Sequence, residues 1–311
     1  MKKDKKKISV AIQGVRGSFH EMAAIEYFRD NEIITVPCDT FGDLFRILAG
    51  GSADFGIVAF ENSVAGSILP NYELLRRSGL PVTGEICIRV IQNLVAMPGQ
   101  NLSDIREIHS HPMAIQQCSN FIGEMRQQGV RVVEAVDTAL SARIISEGRH
   151  YGSGAIASRT AADMYSLAIL KSEIEDDSLN FTRFLIISGR EKQEGVSRDR
   201  RHIENFDRKE SSGTGRPSGA DKAMVCFSLP HKVGSLSQVL SVLAFYRISL
   251  TKIQSLPIVG RPWEYLFHID IIYDDYDRYR LALDAIRPLT EGLEIVGEFR
   301  RGLMPYETGI N

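Results

Sequence analysis

The sequence lacks the features that mark a membrane, secreted or nucleotide-dependent protein. No window approaches the roughly 18 consecutive apolar residues that a membrane-spanning helix needs, and no apolar run follows the basic cluster Lys2–Lys7 to make a signal peptide. The four cysteines are scattered without CxxC spacing, which argues against a disulfide framework and a zinc site. A formal net charge of −2 gives no sign of a nucleic-acid-binding surface. These absences predict a cytoplasmic protein with reduced thiols and no metal.

The remaining composition is that of a globular protein with more than one domain. The chain has 311 residues, 43% of them hydrophobic and 24% charged, which suggests two or three domains. One segment, 190–221, has few large apolar residues and a Ser/Gly/Pro run at 211–219. Because such a segment cannot bury a core, it is predicted to be a linker.

Strand and helix patterns alternate before this linker, and the order changes after it. The alternation predicts α/β layers around largely parallel sheets, whereas the last 80 or so residues read as βαββαβ, the ferredoxin-like α+β order. The predicted segments before the linker are Ile8–Ile12, Phe55–Phe60, Ile105–Ile108, Arg131–Ala135 and Gly154–Ala157 as strands, and Glu21–Arg29, Leu69–Ser78, Met113–Gln127, Leu140–Glu147 and Thr160–Leu167 as helices.

Ligands of open α/β sheets bind beyond the carboxyl ends of the strands, so the residues after each strand are candidates for a site. The first strand is followed by 14-GVRGSFHE-21, in which Ser18 and Glu21 have the spacing of a capping box. The loop is either a cradle for an anion, lined by free N–H groups, or only a well-capped helix start. It matches neither GxGxxG nor GxxxxGK, so nucleotide binding has weak support.

Three further strand ends carry polar residues that have a structural explanation as well as a functional one. Glu61-Asn62-Ser63 follows the second predicted strand, either as a cap and turn or as ligand contacts. In 109-HSHP-112, Ser110 or His111 can cap a helix that starts at Pro112. Asp137-Thr138 has the pattern of an N-cap pair, and Cys118 is better explained by core packing than by nucleophilic chemistry.

The segment 180-NFTRF-184 is harder to explain by local structure. Thr182 and Arg183 stand directly before the apolar run of a strand, where no helix needs a cap. The simple structural explanation for Arg183 is a surface ion pair with the acidic residues at 175–177. A strand that returns the chain from a second lobe would instead carry Thr182 and Arg183 past an interlobe cleft.

Together these segments resemble the prephenate dehydratase family. Five motifs occur in the family's order: a GxxGSF opening, an ENSxxG turn, an SHP…QC helix, a Thr-Ala pair and an NxTRF segment. Their positions are Gly14–Phe19, Glu61–Gly66, Ser110–Cys118, Thr138–Ala139 and Asn180–Phe184. The C-terminal unit resembles an ACT regulatory domain, in which 234-GSL-236 takes the place of the family's GAL motif.

The resemblance implies a catalytic domain of the two-lobed periplasmic-binding-protein type at 8–189 and an ACT domain at 222–305. Lobe one would comprise 8–82 and 166–189, and lobe two would comprise 83–165. The active site would lie between the lobes.

The implied reaction is the decarboxylating dehydration of prephenate to phenylpyruvate in phenylalanine biosynthesis, a lyase reaction that needs no cofactor. Thr182 would hydrogen-bond the departing hydroxyl, as a proton donor or as an electrostatic stabiliser, and Arg183 would bind a carboxylate or orient the site. Asn62, Ser110 and Gln117 would line the same cleft as neutral hydrogen-bond donors. The implied substrate contacts are Gly17, Ser18, Phe19, Glu61, Ser63, Thr138 and Phe184.

The resemblance also implies regulation by L-phenylalanine and self-association as a dimer or tetramer. The implied effector site consists of a loop and a turn: His231, Val233, Gly234, Ser235 and Leu236, with Gln254, Ser255, Leu256 and Pro257. Gln254 and Leu256 depart from the family, which has Glu and Arg there, and a neutral Gln254 would attract the effector's ammonium less. Arogenate dehydratase and a non-catalytic amino-acid-binding module are the competing functions.

Overall fold

The computed structural model describes residues 7–190, 219–258 and 260–302. The described chain divides into two compact units, one made of 7–78 and 86–190 and the other of 79–85 and 219–302. Within these residues, no helix has the length and apolar composition that crossing a bilayer requires.

The first sheet of the first unit has six strands with a buried core on its central members. Its order is β2-β1-β3-β11-β5, with the two-residue β4 paired to β3. The pairs β1–β2 and β1–β3 are parallel, while β11 runs antiparallel to β3. The strands are β1 (Lys7–Gln13), β2 (Glu32–Cys38), β3 (Phe55–Asn62), β4 (Gly66–Ser67), β5 (Val82–Arg89) and β11 (Phe181–Ser188).

The second sheet has five strands in the order β10-β6-β9-β7-β8. Its β7–β8 and β7–β9 pairs are parallel, and β6 runs antiparallel to β9 and β10. The strands are β6 (Asn93–Ala96), β7 (Glu107–Ser110), β8 (Arg131–Glu134), β9 (Ser153–Ala157) and β10 (Ala168–Lys171). Both sheets are therefore mixed, and the predicted two-lobed α/β class is confirmed.

Seven helices of the described first unit cover the two sheets, and several begin at side-chain caps. Ser18, Thr40, Asp137 and Ser158 each accept a hydrogen bond from a backbone N–H three residues on. The helices are α1 (Phe19–Tyr27), α2 (Phe41–Ala49), α3 (Leu69–Ser78), α4 (Pro112–Gln117), α5 (Ser119–Gln127), α6 (Thr138–Gly148) and α7 (Arg159–Met164).

The single helix predicted at Met113–Gln127 is wrong, because the chain breaks at Cys118 between α4 and α5. The break is caused by a distant segment. Asp176 N–H donates to the Gln117 carbonyl at 2.7 Å, and the Asp176 carboxylate accepts from Ser119 N, Ser119 Oγ and Asn120 N. Asp176 thus ends one helix and caps the next, which local periodicity cannot reveal.

The lobe limits differ from the sequence expectation at both crossovers. Strand β5 belongs to the first sheet, so the chain enters the second sheet at β6 and not at 83. Strand β10 belongs to the second sheet, so the return to the first sheet comes at β11 and not at 166. Sequence analysis missed β2, α2, β5, β6 and β10, although α2 has a regular apolar face in Leu44, Phe45 and Leu48.

The second unit has the predicted element order βαββαβ, with sheet order β13-β14-β12-β15 and all pairs antiparallel. Its core lies between one sheet face and the two helices. The segment Gln254–Pro257, expected as a turn, forms the end of strand β13. The elements are β12 (Lys222–Ser228), α8 (Ser235–Phe245), β13 (Ser249–Pro257), β14 (Tyr265–Ile272), α9 (Tyr276–Ile286) and β15 (Glu291–Phe299).

A buried charge cluster lies within the second unit, on the face of its four-stranded sheet opposite the helices. Lys222 Nζ donates to both carboxylate oxygens of Glu85 at 2.9 Å and lies 4.0 Å from Asp270 Oδ2. The Glu85 carboxylate also accepts from Gly302 N at 3.1 Å. All three side chains are almost fully buried, so each charge depends on its partners for its stability.

Candidate active site

Three predicted segments come together at one edge of the first sheet, the edge at which the parallel strands β1 and β3 end. Strands β1 and β3 are parallel, so the loop that starts at Gly14 and the end of β3 at Asn62 lie at the same edge. Strand β11 is antiparallel to β3 and begins at this edge, where Thr182 pairs with Asn62 in the strand register. The GVRGSF, ENS and NFTRF segments therefore meet, although they lie far apart in sequence.

The second sheet presents a matching edge. Strands β7 and β9 end there at Ser110 and Ala157, and the chain after β8 leads to Asp137. The antiparallel β6 begins there with Asn93, which pairs with Ala157.

Three hydrogen bonds join the two edges within the first unit. Ser158 Oγ donates to Gly17 O at 2.9 Å, and Tyr165 OH donates to Arg16 O at 2.7 Å. Gln117 Nε2 donates to Asn62 Oδ1 at 3.4 Å. The two sheet edges thus face each other across a cleft, as the strand-end argument predicts.

Asn62 is the hub of the hydrogen-bond network in this cleft. Its Oδ1 accepts from the backbone N–H groups of Val64 and Ala65 at 3.0 and 2.8 Å. Its Nδ2 donates to Asn180 Oδ1 at 2.7 Å and to Thr182 Oγ1 at 3.0 Å. The two backbone donors show which end of the Asn62 amide is the oxygen. In the flipped orientation, the Asn62 NH₂ group would face the N–H groups of Val64 and Ala65, and no hydrogen bond could form between these donors.

Thr182 is placed by this network with its hydroxyl at the cleft. The Asn62 amide occupies one lone pair of Thr182 Oγ1, which leaves the hydroxyl hydrogen available for a ligand. The side chain is 8% exposed, so a donor at this position is shielded from competing water. Of the predicted polar groups, Asn62, Gln117 and Thr182 are brought together.

The Arg183 side chain does not point toward the cleft as the Thr182 hydroxyl does. Successive residues of a strand point to opposite faces, and Arg183 lies opposite Glu61 in the ladder, with its Nη1 4.0 Å from Glu61 Oε2. The guanidinium is buried, and its carboxylate partner is Glu61 rather than the acidic residues at 175–177. Arg183 therefore holds strands β3 and β11 together.

Two predicted site residues have structural contacts that direct them away from a ligand. Ser110 is fully buried, and its hydroxyl donates to the Ile156 carbonyl at 2.9 Å. The N-cap of α4 is His111, whose Nδ1 accepts from Met113 N. Phe184 is 1% exposed and packs edge-on against the His20 ring, in the core of the first sheet.

The predicted anion cradle at Gly17, Ser18 and Phe19 is partly filled by the protein itself. Gly17 N donates to Glu21 Oε2 at 2.6 Å, and Thr35 Oγ1 donates to the other carboxylate oxygen. Ser18 Oγ accepts from Glu21 N at 3.3 Å, which completes the helix cap. A carboxylate of the chain thus takes one of the N–H groups predicted to meet a ligand.

Ser63 and Thr138, the two other predicted substrate contacts, lie on the same edges. Ser63 Oγ donates to Leu179 O at 2.7 Å and accepts from Phe181 N at 2.9 Å, which ties the ENS turn to the start of β11. Thr138 is the first residue of α6, directly after its Asp137 cap, and is partly exposed.

Sequence reasoning missed three buried amides of the cleft. Gln92 Nε2 donates to Gln117 Oε1 at 3.4 Å and Asn93 Nδ2 to Ala157 O at 3.2 Å. Gln92 Oε1, Asn93 Oδ1 and Asn180 Nδ2 are buried and have no hydrogen-bond partner among the described residues. Unpaired buried polar atoms are costly, so their presence indicates a site for a polar ligand or water. The available signal was the Gln-Asn pair inside the apolar stretch 86–97.

A cavity of about 290 Å³ opens beside this network. It gives a small polar molecule access to Gln117 and Asn180. The lining residues are Val64, Ala65, Met113, Gln116, Gln117, Asp176, Asp177 and Asn180.

The ionisable groups near the cleft differ in charge state. Burial lowers the pKa of His20 to about 3, so the ring is neutral between its two aromatic neighbours Phe41 and Phe184. Burial raises the pKa of the Asp137 carboxyl and of the Cys118 thiol, which is fully buried in the core. Cys118 is therefore a protonated packing residue and not a nucleophile.

Comparisons with known proteins identify the family. The family model "Prephenate dehydratase" matches residues 10–192. A bifunctional chorismate mutase/prephenate dehydratase of Aquifex aeolicus is 30% identical over 300 residues, which is 96% of this chain and 75% of that protein. Arogenate dehydratase/prephenate dehydratase 1 of Arabidopsis thaliana is 33% identical over 309 residues, covering 94% and 72% of the two chains.

Two solved structures resemble nearly the whole chain. GqqA, described as a quorum-quenching acylase, has a TM-score of 0.77 and 28% identity and covers 96% of this chain and 99% of its own. Prephenate dehydratase of Arthrobacter aurescens in complex with L-Phe has a TM-score of 0.75 and 25% identity and covers 94% and 90%. With the family model matching more than half of its residues, the chain belongs to the prephenate dehydratase family.

Proposed function

We propose that the chain is a lyase that converts prephenate to phenylpyruvate, carbon dioxide and water. The observation that carries the proposal is the Thr182 hydroxyl, held by the Asn62 amide where the edges of the two sheets face each other. Loss of the ring carboxylate as carbon dioxide and of the ring hydroxyl leaves an aromatic ring, and aromatisation drives the reaction.

Thr182 acts at the leaving hydroxyl. Hydroxide is a poor leaving group, so a donor placed at this oxygen lowers the barrier, typically by 10²–10⁴-fold. The Asn62 N–H that points at Thr182 Oγ1 stabilises negative charge on that oxygen as the Thr182 proton moves toward the leaving group. Asn62 is thus the positioning residue for the donor.

Neutral amides hold the ring carboxylate. A strong ion pair would stabilise this carboxylate in the ground state and oppose its loss as carbon dioxide. Gln117 and Asn180 border the cavity, and Asn180 Nδ2 is a buried donor with no partner among the described residues. These two amides can bind the ring carboxylate through hydrogen bonds, without the stronger attraction of an ion pair.

The second unit is the effector domain in this proposal, and L-phenylalanine is its inhibitor. The relative from Arthrobacter aurescens was crystallised with L-Phe. Gly234 has φ +82° and caps α8, so its backbone can approach a ligand where a side chain would be strained. Self-association as a dimer or tetramer and a cytoplasmic location complete the proposal.

Acylase activity, which is named for GqqA, lacks a supporting observation among the described residues of this cleft. A hydrolase of that kind activates a nucleophile with an adjacent base. Among the described cleft residues, Thr182 is bonded to an amide, and the Ser110 hydroxyl donates to a carbonyl. Neither hydroxyl has a histidine or carboxylate partner in these contacts.

The test is incubation of the purified protein with prephenate and separately with arogenate, monitoring phenylpyruvate and phenylalanine. The proposal predicts phenylpyruvate from prephenate, with turnover lost when Thr182 is replaced. Binding of either compound without turnover would support the amino-acid-binding module instead.

A further inference from the structure

Prephenate and arogenate differ at one group, and the two ends of the substrate are chemically distinct. Arogenate has an ammonium where prephenate has a side-chain keto oxygen. The ring hydroxyl and this side chain leave the ring at opposite positions, so they point to opposite ends of a cleft. With the hydroxyl at Thr182, the distinguishing group lies at the end remote from β11. Recognition of an ammonium there requires an acceptor, and a carboxylate is the strongest one.

Asp137 stands at that remote end. Its Oδ2 lies directly against Gly14, because a Cβ built on Gly14 would meet this oxygen at 2.9 Å and the Ser18 Cβ at 3.6 Å. Gly14 follows β1, and β1 is separated from β11 by β3 alone. Two strand spacings are roughly 10 Å, which suits a six-membered ring with a hydrogen-bonded group at each end.

The other carboxylates near the cleft accept from protein donors or lie at the β11 end. Asp177, which borders the cavity, and Glu175 stand just before β11, where they accept from Leu179 N and Gln92 N. Glu21 accepts from Gly17 N and Thr35 Oγ1, and Glu61 pairs with Arg183. Asp176 accepts from Ser119 and Asn120. Among the described residues, Asp137 is bonded only by the start of its own helix, with Leu140 N donating to Oδ1 at 2.7 Å. Because a carboxylate has about four acceptor positions, Asp137 keeps capacity for a ligand.

We propose that Asp137 is a specificity-determining residue of this site: its carboxylate pairs with the ammonium of arogenate, so the site accepts arogenate as well as prephenate. This inference rests on the proposed dehydratase function and deepens it. Burial disfavours the charged form of Asp137 in the free protein, and an ammonium compensates that cost. The nearby charges of His111 and Arg143 act on the pKa of Asp137 in the opposite direction to burial, without outweighing it.

The test is the ratio of kcat/KM for arogenate to kcat/KM for prephenate in Asp137→Asn, with Asp137→Ser as a second variant. Asn and Ser both serve as N-caps, so α6 keeps its start. Asp275→Asn is the matched control, because Asp275 caps α9 in the second unit by the same contact, from Arg278 N.

We expect the ratio to fall roughly ten- to hundredfold in both Asp137 variants, the range of a hydrogen bond to a charged group, and to stay unchanged in Asp275→Asn. Three results would overturn the inference: no arogenate turnover by the wild type, an unchanged ratio in both variants, or equal losses on both substrates. Absence of wild-type turnover on prephenate as well would overturn the proposed function itself.

Discussion

At the scale of single residues, Asn62 has a double role that separates it from the other buried amides. Removing its side chain leaves the Val64 and Ala65 N–H groups without their acceptor and Thr182 without its donor. Val64 and Ala65 are exposed, so water can bind their N–H groups, whereas Asn180 and Thr182 are buried and each loses a donor. A buried polar group left unpaired costs about 1–3 kcal/mol. If the proposed mechanism holds, stability and catalysis depend on the same side chain.

For Asn62→Ala we expect a loss of at least about 1–3 kcal/mol in the free energy of unfolding, together with a large fall in kcat. Asn71→Ala is the matched control, since Asn71 is a fully buried amide that donates to Ala59 O at 2.7 Å. Denaturant unfolding should show losses in both variants, whereas only Asn62→Ala should lose kcat. Equal kcat in the two variants would remove Asn62 from the site.

Ser110 is expected to behave differently from the role that the family resemblance implies. Its hydroxyl donates to the Ile156 carbonyl and joins β7 to β9. Ser110→Ala should lower the free energy of unfolding by about 1–3 kcal/mol and leave kcat within a few-fold of the wild type. The test is to measure denaturant unfolding and steady-state kinetics on the same preparation. A large fall in kcat with unchanged stability would show that Ser110 takes part in catalysis.

The family resemblance predicted that Asn62, Gln117 and Thr182 line one cleft, and their side chains are joined by hydrogen bonds through Asn62. Strand polarity explains why the segments that carry Asn62 and Thr182 meet. The contact of the Ser110 hydroxyl with the Ile156 carbonyl could not be predicted, because the direction of this hydroxyl depends on the register of β7 against β9. Sequence analysis missed Gln92 and Asn93 because a Gln-Asn pair in an apolar stretch indicates burial of the two amides but not which groups they face.

At the scale of elements, Glu107 links three strands of the second sheet. Its carboxylate, on β7, accepts from Arg131 of β8, from Ser153 Oγ of β9 at 3.0 Å, and contacts His109 Nε2 at 2.9 Å. The hydrogen bonds from His109 and Arg131 lower the pKa of Glu107 to about 2 from an ordinary 4.5. The carboxylate therefore stabilises the sheet in its ionised form.

A depressed carboxyl pKa contributes stability that is present above the unfolded value near 4.5 and lost as the pH falls toward about 2. Glu107→Gln should lower Tm at neutral pH and flatten the decline of Tm across this window. Glu147→Gln, which replaces an exposed carboxylate on α6, is the control. A Tm decline in Glu107→Gln as steep as in the wild type would contradict the role of Glu107.

Element prediction succeeded where a strand or helix is set by its own sequence, as for β3, α3 and α6. It failed at the break between α4 and α5, because Asp176, nearly sixty residues away, caps the second helix. The lobe crossovers were also missed. Strand β5 joins the first sheet and β10 the second, and sheet membership depends on partners that a single strand does not encode.

At the scale of the whole molecule, the βαββαβ unit is the proposed site of control by phenylalanine. The proposed effector contacts are the start of α8 at Gly234 and the end of β13 near Gln254. The predicted linker 190–221 lies almost entirely outside the described residues, so its role stays a prediction. The element order of this unit was predictable because each of its strands and helices has a regular apolar pattern.

Gln254→Glu should strengthen inhibition by phenylalanine, because a carboxylate attracts the effector's ammonium more strongly than an amide does. The measurement is the phenylalanine concentration for half-maximal inhibition, with Gln238→Glu on the exposed face of α8 as control. We expect a decrease of about tenfold for Gln254→Glu and none for the control. Phenylalanine without effect on any of the three proteins would refute the effector proposal and leave the dehydratase assignment intact.

The most direct test of the central claim is the rate of phenylpyruvate formation from prephenate by the wild type, Thr182→Ser and Thr182→Val. Valine keeps the shape of threonine and removes the hydroxyl, whereas serine keeps the hydroxyl. The account predicts turnover by the wild type, partial retention in Thr182→Ser, and a fall in kcat of at least about a hundredfold in Thr182→Val, with little change in Tm. Near-normal kcat in Thr182→Val would contradict it.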